Sequence, residues 1–327
     1  MRRATISGAL ALALAATGGI AASRAQSGEP TLDPSPAPGL SSPTTGGPPP
    51  DIAFGAYQRG LFRTAFKEAM KRIAANPKDA AAMTLIGEIY RDGLAVRQNV
   101  AEATRWYRLA SALGSKEAAF QLGVILLDGA TDIPKDMAAA KAQFEKAAAL
   151  GHAEALYNLG VLAIEGDPAR PPDFAEAADD FKRSALAGDD NGAYSYGVLL
   201  RQGKGVPLDI GESAHWLKRA ADGGIIAGQV EYAIMLFNGV GVERNETEAA
   251  KIFMKAAARD NPIAQNRLAH LYLAGRGVTR DVVKASLWHN FAKAAGLEDA
   301  ELDAALANLT PAQLDEVRAA ARRQAAF

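Results

Sequence analysis

Between residues 79 and 297, apolar positions recur at helical spacing in paired blocks separated by short glycine-rich, polar breaks. The stretch from Asn191 to Gly223 shows the unit. Apolar residues around Gly197 end at Gly203, and a second block follows Asp209, with Ala214, Trp216, Leu217, Ala220 and Ala221 on one face. Each block predicts an amphipathic helix, and each pair predicts an αα-hairpin of helix A and helix B. A small residue recurs in helix A at Gly87, Gly123, Gly160, Gly197, Ala233 and Ala269, in steps of 36 or 37 residues. An aromatic recurs in helix B at Trp106, Phe144, Phe181, Trp216, Phe253 and Trp288. A period of this length means stacked units that bury apolar surface against their neighbours. Glycine inside a helix costs about 1 kcal/mol relative to alanine, so its repeated use implies that helices A and B approach closely there. The helix-B aromatic is expected to fill the wedge between consecutive hairpins.

Capping signals place the helix starts independently. Asn99, Asp173, Asp209 and Asn245 each stand three residues before a glutamate: Glu102, Glu176, Glu212 and Glu248. A side chain there accepts from free N–H groups, while the carboxylate reaches back or meets the positive helix end. Near the C-terminus, Leu309-Thr310-Pro311-Ala312-Gln313-Leu314 combines a Thr cap, a first-turn Pro, a Gln three residues after the cap and a Leu309/Leu314 staple. A closing helix over 310–323 is therefore expected, within a capping region 298–327.

The consensus small-x3-L-G-x2-Y/L-x2-G-x-G-V, followed by Asp/Asn-x4-A-x2-W/F-x3-A-A-x-G, resembles the Sel-one-like repeat family of the tetratricopeptide superfamily. Gly203-Lys204-Gly205-Val206, Gly239-Val240-Gly241-Val242 and Gly275-Arg276-Gly277-Val278 carry the resemblance most clearly. It covers six copies across 79–297. The turns at Gly129–Pro134 and Gly166–Pro172 lack the GxGV core. Residues 51–78, with Ala53, Tyr57, Gly60, Ala65 and Pro77, are similar to a plain tetratricopeptide unit and read as an N-terminal cap. The resemblance implies an all-α, right-handed α-solenoid of antiparallel helix pairs and a role in binding other proteins.

Composition adds the compartment. The 327 residues are 49% hydrophobic and 22% charged, a globular balance. A net charge of −1 without a basic block leaves nucleic acid no electrostatic footprint. With no cysteine, disulfides and thiolate zinc sites are excluded. Arg2-Arg3, the weakly apolar stretch 6–22 and Ser23-Arg24-Ala25 read as a secretory signal, residues 1–25, cleaved near Ala25. Periplasmic or secreted location follows, without membrane insertion of the mature chain, whose charge becomes −4. Residues 26–50 hold eight prolines and read as a disordered tether.

Chemistry is nearly absent from the motifs. The GxG turns follow helices rather than strands and recur with the repeat, so they are structural turns and not a dinucleotide loop. No G-x-S-x-G elbow or Ser-x-x-Lys occurs. His152, His215, His270 and His289 have no His-x3-His spacing and no neighbouring carboxylate at ligand spacing, so no metal or other cofactor is expected. His152 reads as the residue opening a repeat, and His215 and His289 as facing solvent or a neighbouring helix. The reading is a monomeric, non-enzymatic interaction scaffold or regulator of the cell envelope. The alternative is a peptidoglycan-binding or -hydrolysing protein, or the β-lactam hydrolysis linked to some members of the resembled family, for which the sequence supplies no nucleophile.

In related tetratricopeptide folds helix A lines the concave face. Positions three before, one after and four after the helix-A small residue share one side of that helix. The first row is Phe120, Tyr157, Tyr194 and Val230; the second is Val124, Val161, Val198 and Ile234; the third is Leu127, Ile164, Arg201 and Phe237. The candidate partner-binding residues are Phe120, Val124, Tyr157, Val161, Tyr194, Val198, Arg201 and Phe237. They form either a floor for an apolar peptide or an amphipathic helix, or rows that tight superhelical curvature buries between adjacent A helices, a choice that solvent accessibility decides. The second row is aliphatic where a carboxylate clamp needs basic and amide groups, so capture of a peptide C-terminus is not expected.

Overall fold

The computed structural model describes residues 51–166 and 171–324; the expected signal and tether lie outside the described residues. Sixteen helices and no strand are formed among the described residues, an all-α solenoid of helix hairpins. The described residues divide into two compact units, one up to Leu113 and one from Gly114 onward.

The first unit holds α1 (Ile52–Gln58), α2 (Phe62–Ala75), α3 (Ala80–Asp92) and α4 (Val100–Ala112). Alanines 53, 56, 65 and 69 of the first two helices are fully buried with Ile86 and Ile89 of α3 in one core. The second unit begins with three hairpins: α5 (Lys116–Asp128) with α6 (Met137–Ala149), α7 (Ala153–Glu165) with α8 (Phe174–Leu186), and α9 (Asp190–Gln202) with α10 (Ile210–Asp222). Two more follow, α11 (Ile226–Asn238) with α12 (Glu246–Ala257) and α13 (Pro262–Ala274) with α14 (Val282–Ala294). The short α15 (Ala300–Leu306) and α16 (Pro311–Gln324) close the chain.

All four predicted caps form: the side chains of Asn99, Asp173, Asp209 and Asn245 accept from the amides of Glu102, Glu176, Glu212 and Glu248 at 2.9–3.0 Å. Asp136 and Asp281 cap the remaining two B helices without a glutamate. Glu212 turns to the Trp216 indole, whose Nε1 donates to it at 2.7 Å. At the C-terminus the reciprocal box does form, since Gln313 N donates to Thr310 Oγ1 and Thr310 N to Gln313 Oε1. Helix α16 packs on α14, as a closing helix should, and α15 intervenes as an additional element.

The two ladders meet, with a correction. A Cβ placed on Gly123 or Gly160 would lie 2.6 Å or 2.7 Å from the ring of Phe144 or Phe181. On Gly87, however, it meets Tyr107 at 2.6 Å, and on Gly197 it meets Leu217 at 3.0 Å, rather than Trp106 and Trp216. The reason is turn length. Helices α6 and α8 start 21 residues after their partner A helices, whereas α4, α10, α12 and α14 start 20 residues after theirs. The register facing the small residue is therefore Tyr107, Phe144, Phe181, Leu217, Phe253 and His289. The tryptophans stand one position earlier, about 100° around the helix. The rings of Tyr107, Phe144 and Phe181 thus fill the space inside their own hairpin, not only a wedge between hairpins. Phe144 and Phe181 are fully buried, while Trp106 and Trp288 are half-buried.

The GxGV turn acquires a reason beyond its local bend. A Cβ on Gly205, Gly241 or Gly277 would collide with the carbonyl oxygen of Phe174, Ile210 or Glu246 respectively. Each is the first residue of the preceding repeat's B helix, or the B-helix start itself, so the second glycine lets one repeat's turn rest on backbone of the repeat before it.

Candidate functional site

The A helices of the second unit carry the predicted binding residues. Phe120 and Val124 are on α5, Tyr157 and Val161 on α7, Tyr194, Val198 and Arg201 on α9, and Phe237 on α11. Seven of these eight are half-buried; Val198 is 3% exposed and belongs to the interior. The inner sides of Tyr157, Val161 and Tyr194 pack on one core cluster that contains Phe181, Leu199 and Trp216. Core packing thus holds their rotamers while one side of each stays accessible.

Polar links tie successive A helices along this face. Phe120 stacks on the His152 imidazole at a centroid distance of 4.3 Å. His152 Nε2 meets Glu117 Oε2 of α5 at 3.2 Å, and its Nδ1 accepts from Ala155 N, capping α7. Because Nδ1 accepts, the proton belongs on Nε2, facing the carboxylate. Arg201 of α9 pairs with Glu231 of α11 at 2.5 Å, so its charge is already matched. Burial, with Glu231 adding to it, pushes the Tyr194 hydroxyl up to about 12. Tyr194 therefore presents a protonated, hydrogen-bonding phenol at any ordinary pH.

Beyond Phe237 the face opens into a cavity missed by the row counting. A slot of about 120 Å³ is lined by Ile234, Phe237 and Asn238 of α11, Phe253 of α12, and Arg267, His270 and Leu271 of α13. It continues into a trough of about 690 Å³ that adds Ile263, Arg276, Leu297 and the start of α15. Arg276 lies over the Phe237 ring at 4.1 Å and pairs with Glu246, which also takes Arg244. These two guanidiniums, Arg276 foremost, hold the Glu246 carboxyl down at about 2. Asp299, the cap of α15, accepts from Asn266 Nδ2 at 2.8 Å and faces His270 Nε2 at 2.8 Å. Its carboxyl is held far below the usual range, first by Asn266 and then by His270.

The histidine reading needs correcting. His152, His270 and His289 each meet a carboxylate supplied by another helix or its cap, a proximity that linear spacing could not reveal. His289 is 3% exposed, at the position other repeats give to a ring, and its Nε2 reaches Asp303 Oδ1 of α15 at 2.8 Å. His215 is exposed, as expected. These pairs cap or tether helices.

A second cavity, about 350 Å³, lies among Glu145, Leu159, Glu176, Asp179, Asp180 and Arg183. Asp180 stands where three other repeats carry Trp106, Trp216 and Trp288. Its side chain is 9% exposed and meets Arg183 at 3.1 Å. Burial raises its carboxyl to about 6.

No helix among the described residues is long and apolar enough to cross a membrane. The family model for the Sel1 repeat matches residues 80–115, 116–152, 153–189, 191–225, 226–261 and 262–297. No match was found among curated proteins. Similar solved structures include the following two. One is c5321, a protective antigen of uropathogenic Escherichia coli with an SLR fold, at 27% identity and a TM-score of 0.67 over 79% of this chain. The chain spans 56% of that protein's length. The other is a Sel1 repeat protein of Oxalobacter formigenes, at 26% identity and a TM-score of 0.61, over 76% of this chain and 100% of that one. Sel1 repeat proteins in general mediate protein–protein interactions. With six consecutive matches to the repeat, this chain belongs to the Sel1 repeat family.

Proposed function

We propose that this chain is a non-enzymatic scaffold or regulator of the cell envelope that binds a partner polypeptide along the helix-A face of its second unit. The observation that carries the reading is the half-buried row Phe120, Tyr157 and Tyr194, continued by Val124, Val161 and Phe237. Tyr157, Val161 and Tyr194 pack on the core cluster and remain partly exposed, which is what a preorganised docking surface requires. Aromatic groups of this kind dominate binding energy where they are rigid and partly desolvated. The envelope assignment rests on residues 1–25 as an export signal and on 26–50 as a spacer between the export machinery and the repeats. The mature chain acts as a monomer, with its repeats as the binding elements.

The test is site-specific photo-crosslinking in cells of the source organism, with a photoreactive residue at position 157 or 194, compared with exposed positions on the B helices such as Lys182. Partner adducts restricted to the helix-A positions, and lost with Tyr157→Ala plus Tyr194→Ala as tested from a probe at position 124, support the proposal. Adducts from the B-helix positions alone would refute it. Fractionation of the tagged chain to the cytoplasm would refute the envelope part.

A further inference from the structure

The slot beside Phe237 differs in chemistry from the rest of the helix-A face. Its walls are Ile234, Phe237, Phe253 and Leu271, and its polar groups are Arg267, Asn238 and His270; no carboxylate lines it. Of its two basic side chains, His270 is engaged by Asp299. Arg267 forms no ion pair or hydrogen bond among the described residues, and it lines both the slot and the trough. The neighbouring guanidinium, Arg276, is by contrast matched by Glu246 and fixed over the Phe237 ring. An unmatched guanidinium beside an apolar recess is complementary to an apolar side chain with a carboxylate next to it. About 120 Å³ is the volume of some four waters, enough for one aliphatic side chain or part of a ring and not for a folded element.

The trough decides how the ligand chain runs. Past the slot it is lined by Ile263, Leu271, Ala274 and Leu297 together with the carboxylates of Glu298, Asp299 and Glu301. A segment can therefore continue beyond the slot, which suits an internal stretch of polypeptide better than a chain end.

The geometry points to a specificity pocket for an internal apolar–acidic pair in the partner, a leucine-like side chain in the Ile234–Phe237–Phe253–Leu271 slot and the adjoining Asp or Glu on Arg267. This rests on the helix-A face being the docking surface and names what its C-terminal end selects. Arg267 is a recognition residue; Arg276 positions the Phe237 wall.

The experiment uses the full chain and short synthetic peptides with a Ser-Gly background and a photoactivatable leucine, followed by Asp, Asn or Lys. A fourth peptide ends at the photoactivatable leucine with a free carboxylate. Adducts are mapped by mass spectrometry. The Asp peptide is expected to label Phe237 or Leu271 about fivefold more than the Asn peptide, a difference that Arg267→Ala abolishes. Arg267→Glu should reverse the preference in favour of the Lys peptide. Arg267 is exposed and unpaired, so an unchanged melting curve by circular dichroism is expected for both variants and shows that the fold is intact. Equal labelling by the Asp, Asn and Lys peptides, or no labelling of the slot, overturns the pocket. Labelling by the terminal-carboxylate peptide alone overturns it in favour of chain-end capture. Adducts confined to Tyr157 or Tyr194 sink the pocket and spare the helix-A reading, whereas adducts confined to B helices sink both.

Discussion

The carbonyl oxygen of Phe174 occupies the space that a Cβ on Gly205 would need. Phe174 opens α8 and Gly205 belongs to the turn after α9, so the contact joins neighbouring repeats. Gly205 also has φ +71°, a left-handed conformation in which an L side chain is strained. Gly205→Ala adds both penalties, because neither backbone segment can give way as a side chain could. We expect a loss of about 3 kcal/mol in urea unfolding. Gly211→Ala, in the first turn of α10 where a Cβ meets only Asp209 Oδ1 at 3.6 Å, an ordinary contact, serves as the control and should change stability little.

The matching position of the first repeat behaves oppositely. Ala95 stands where the second glycine of the GxGV turn would be and has φ +65°. Ala95→Gly relieves that strain and should stabilise the chain by about 1 kcal/mol, less the greater freedom of glycine in the unfolded state. A higher midpoint in the same urea titration checks this; a lower one would count against a strained turn.

Register gives a third expectation. Phe181 is fully buried against Gly160, while Trp106 lies one position off the facing register and is half-buried. Phe181→Ala should cost about 3–5 kcal/mol, and Trp106→Ala clearly less, despite the larger ring. Calorimetric melting of the two variants decides it. Equal losses would restore the tryptophan ladder as the packing register.

Asp180 predicts a pH effect. Its carboxyl titrates near 6 in the folded chain because burial disfavours the charge, against an ordinary value of 3.8. Groups facing it are Arg183 and Asp179 on its own helix, Glu176 one turn earlier, and Glu145 and Lys141 from α6. The folded state holds the proton more tightly than the unfolded state. The contribution of the protonated form is thus fully present below about pH 4 and is lost as pH rises through about 6. Asp180→Asn keeps the neutral shape and should match the parent near pH 4. At pH 8 it should be more stable by about 1 kcal/mol, an amount reduced by the solvent at the cavity mouth. Denaturation at both pH values tests the sign.

Much of the fold could be read from local chemistry. The caps at Asn99, Asp173, Asp209 and Asn245 form where expected because a cap involves only three or four consecutive residues. The Thr310–Gln313 box was legible for the same reason. The small positions at Gly123 and Gly160 were legible because a repeated glycine inside a helix requires close contact. Identification of Tyr107 and Leu217 as the partners of Gly87 and Gly197 was not. One residue more or less in a turn rotates the following helix by about 100°, and the A–B turns differ by that one residue. The candidate rows along helix A were legible as positions, while Val198 turned out interior and Arg201 already paired.

The amino-acid sequence by itself determined the repeat, the helix boundaries and the side of each A helix that is apolar, since all three depend on spacing along one chain. Tertiary structure alone decided which groups from different repeats meet. Asp299 with His270, Phe174 with Gly205, and the unpaired Arg267 at the slot are separated by many residues and joined only by stacking. Contacts between stacked hairpins depend on how each turn orients the next helix, and that orientation is a property of packing rather than of any short stretch of residues.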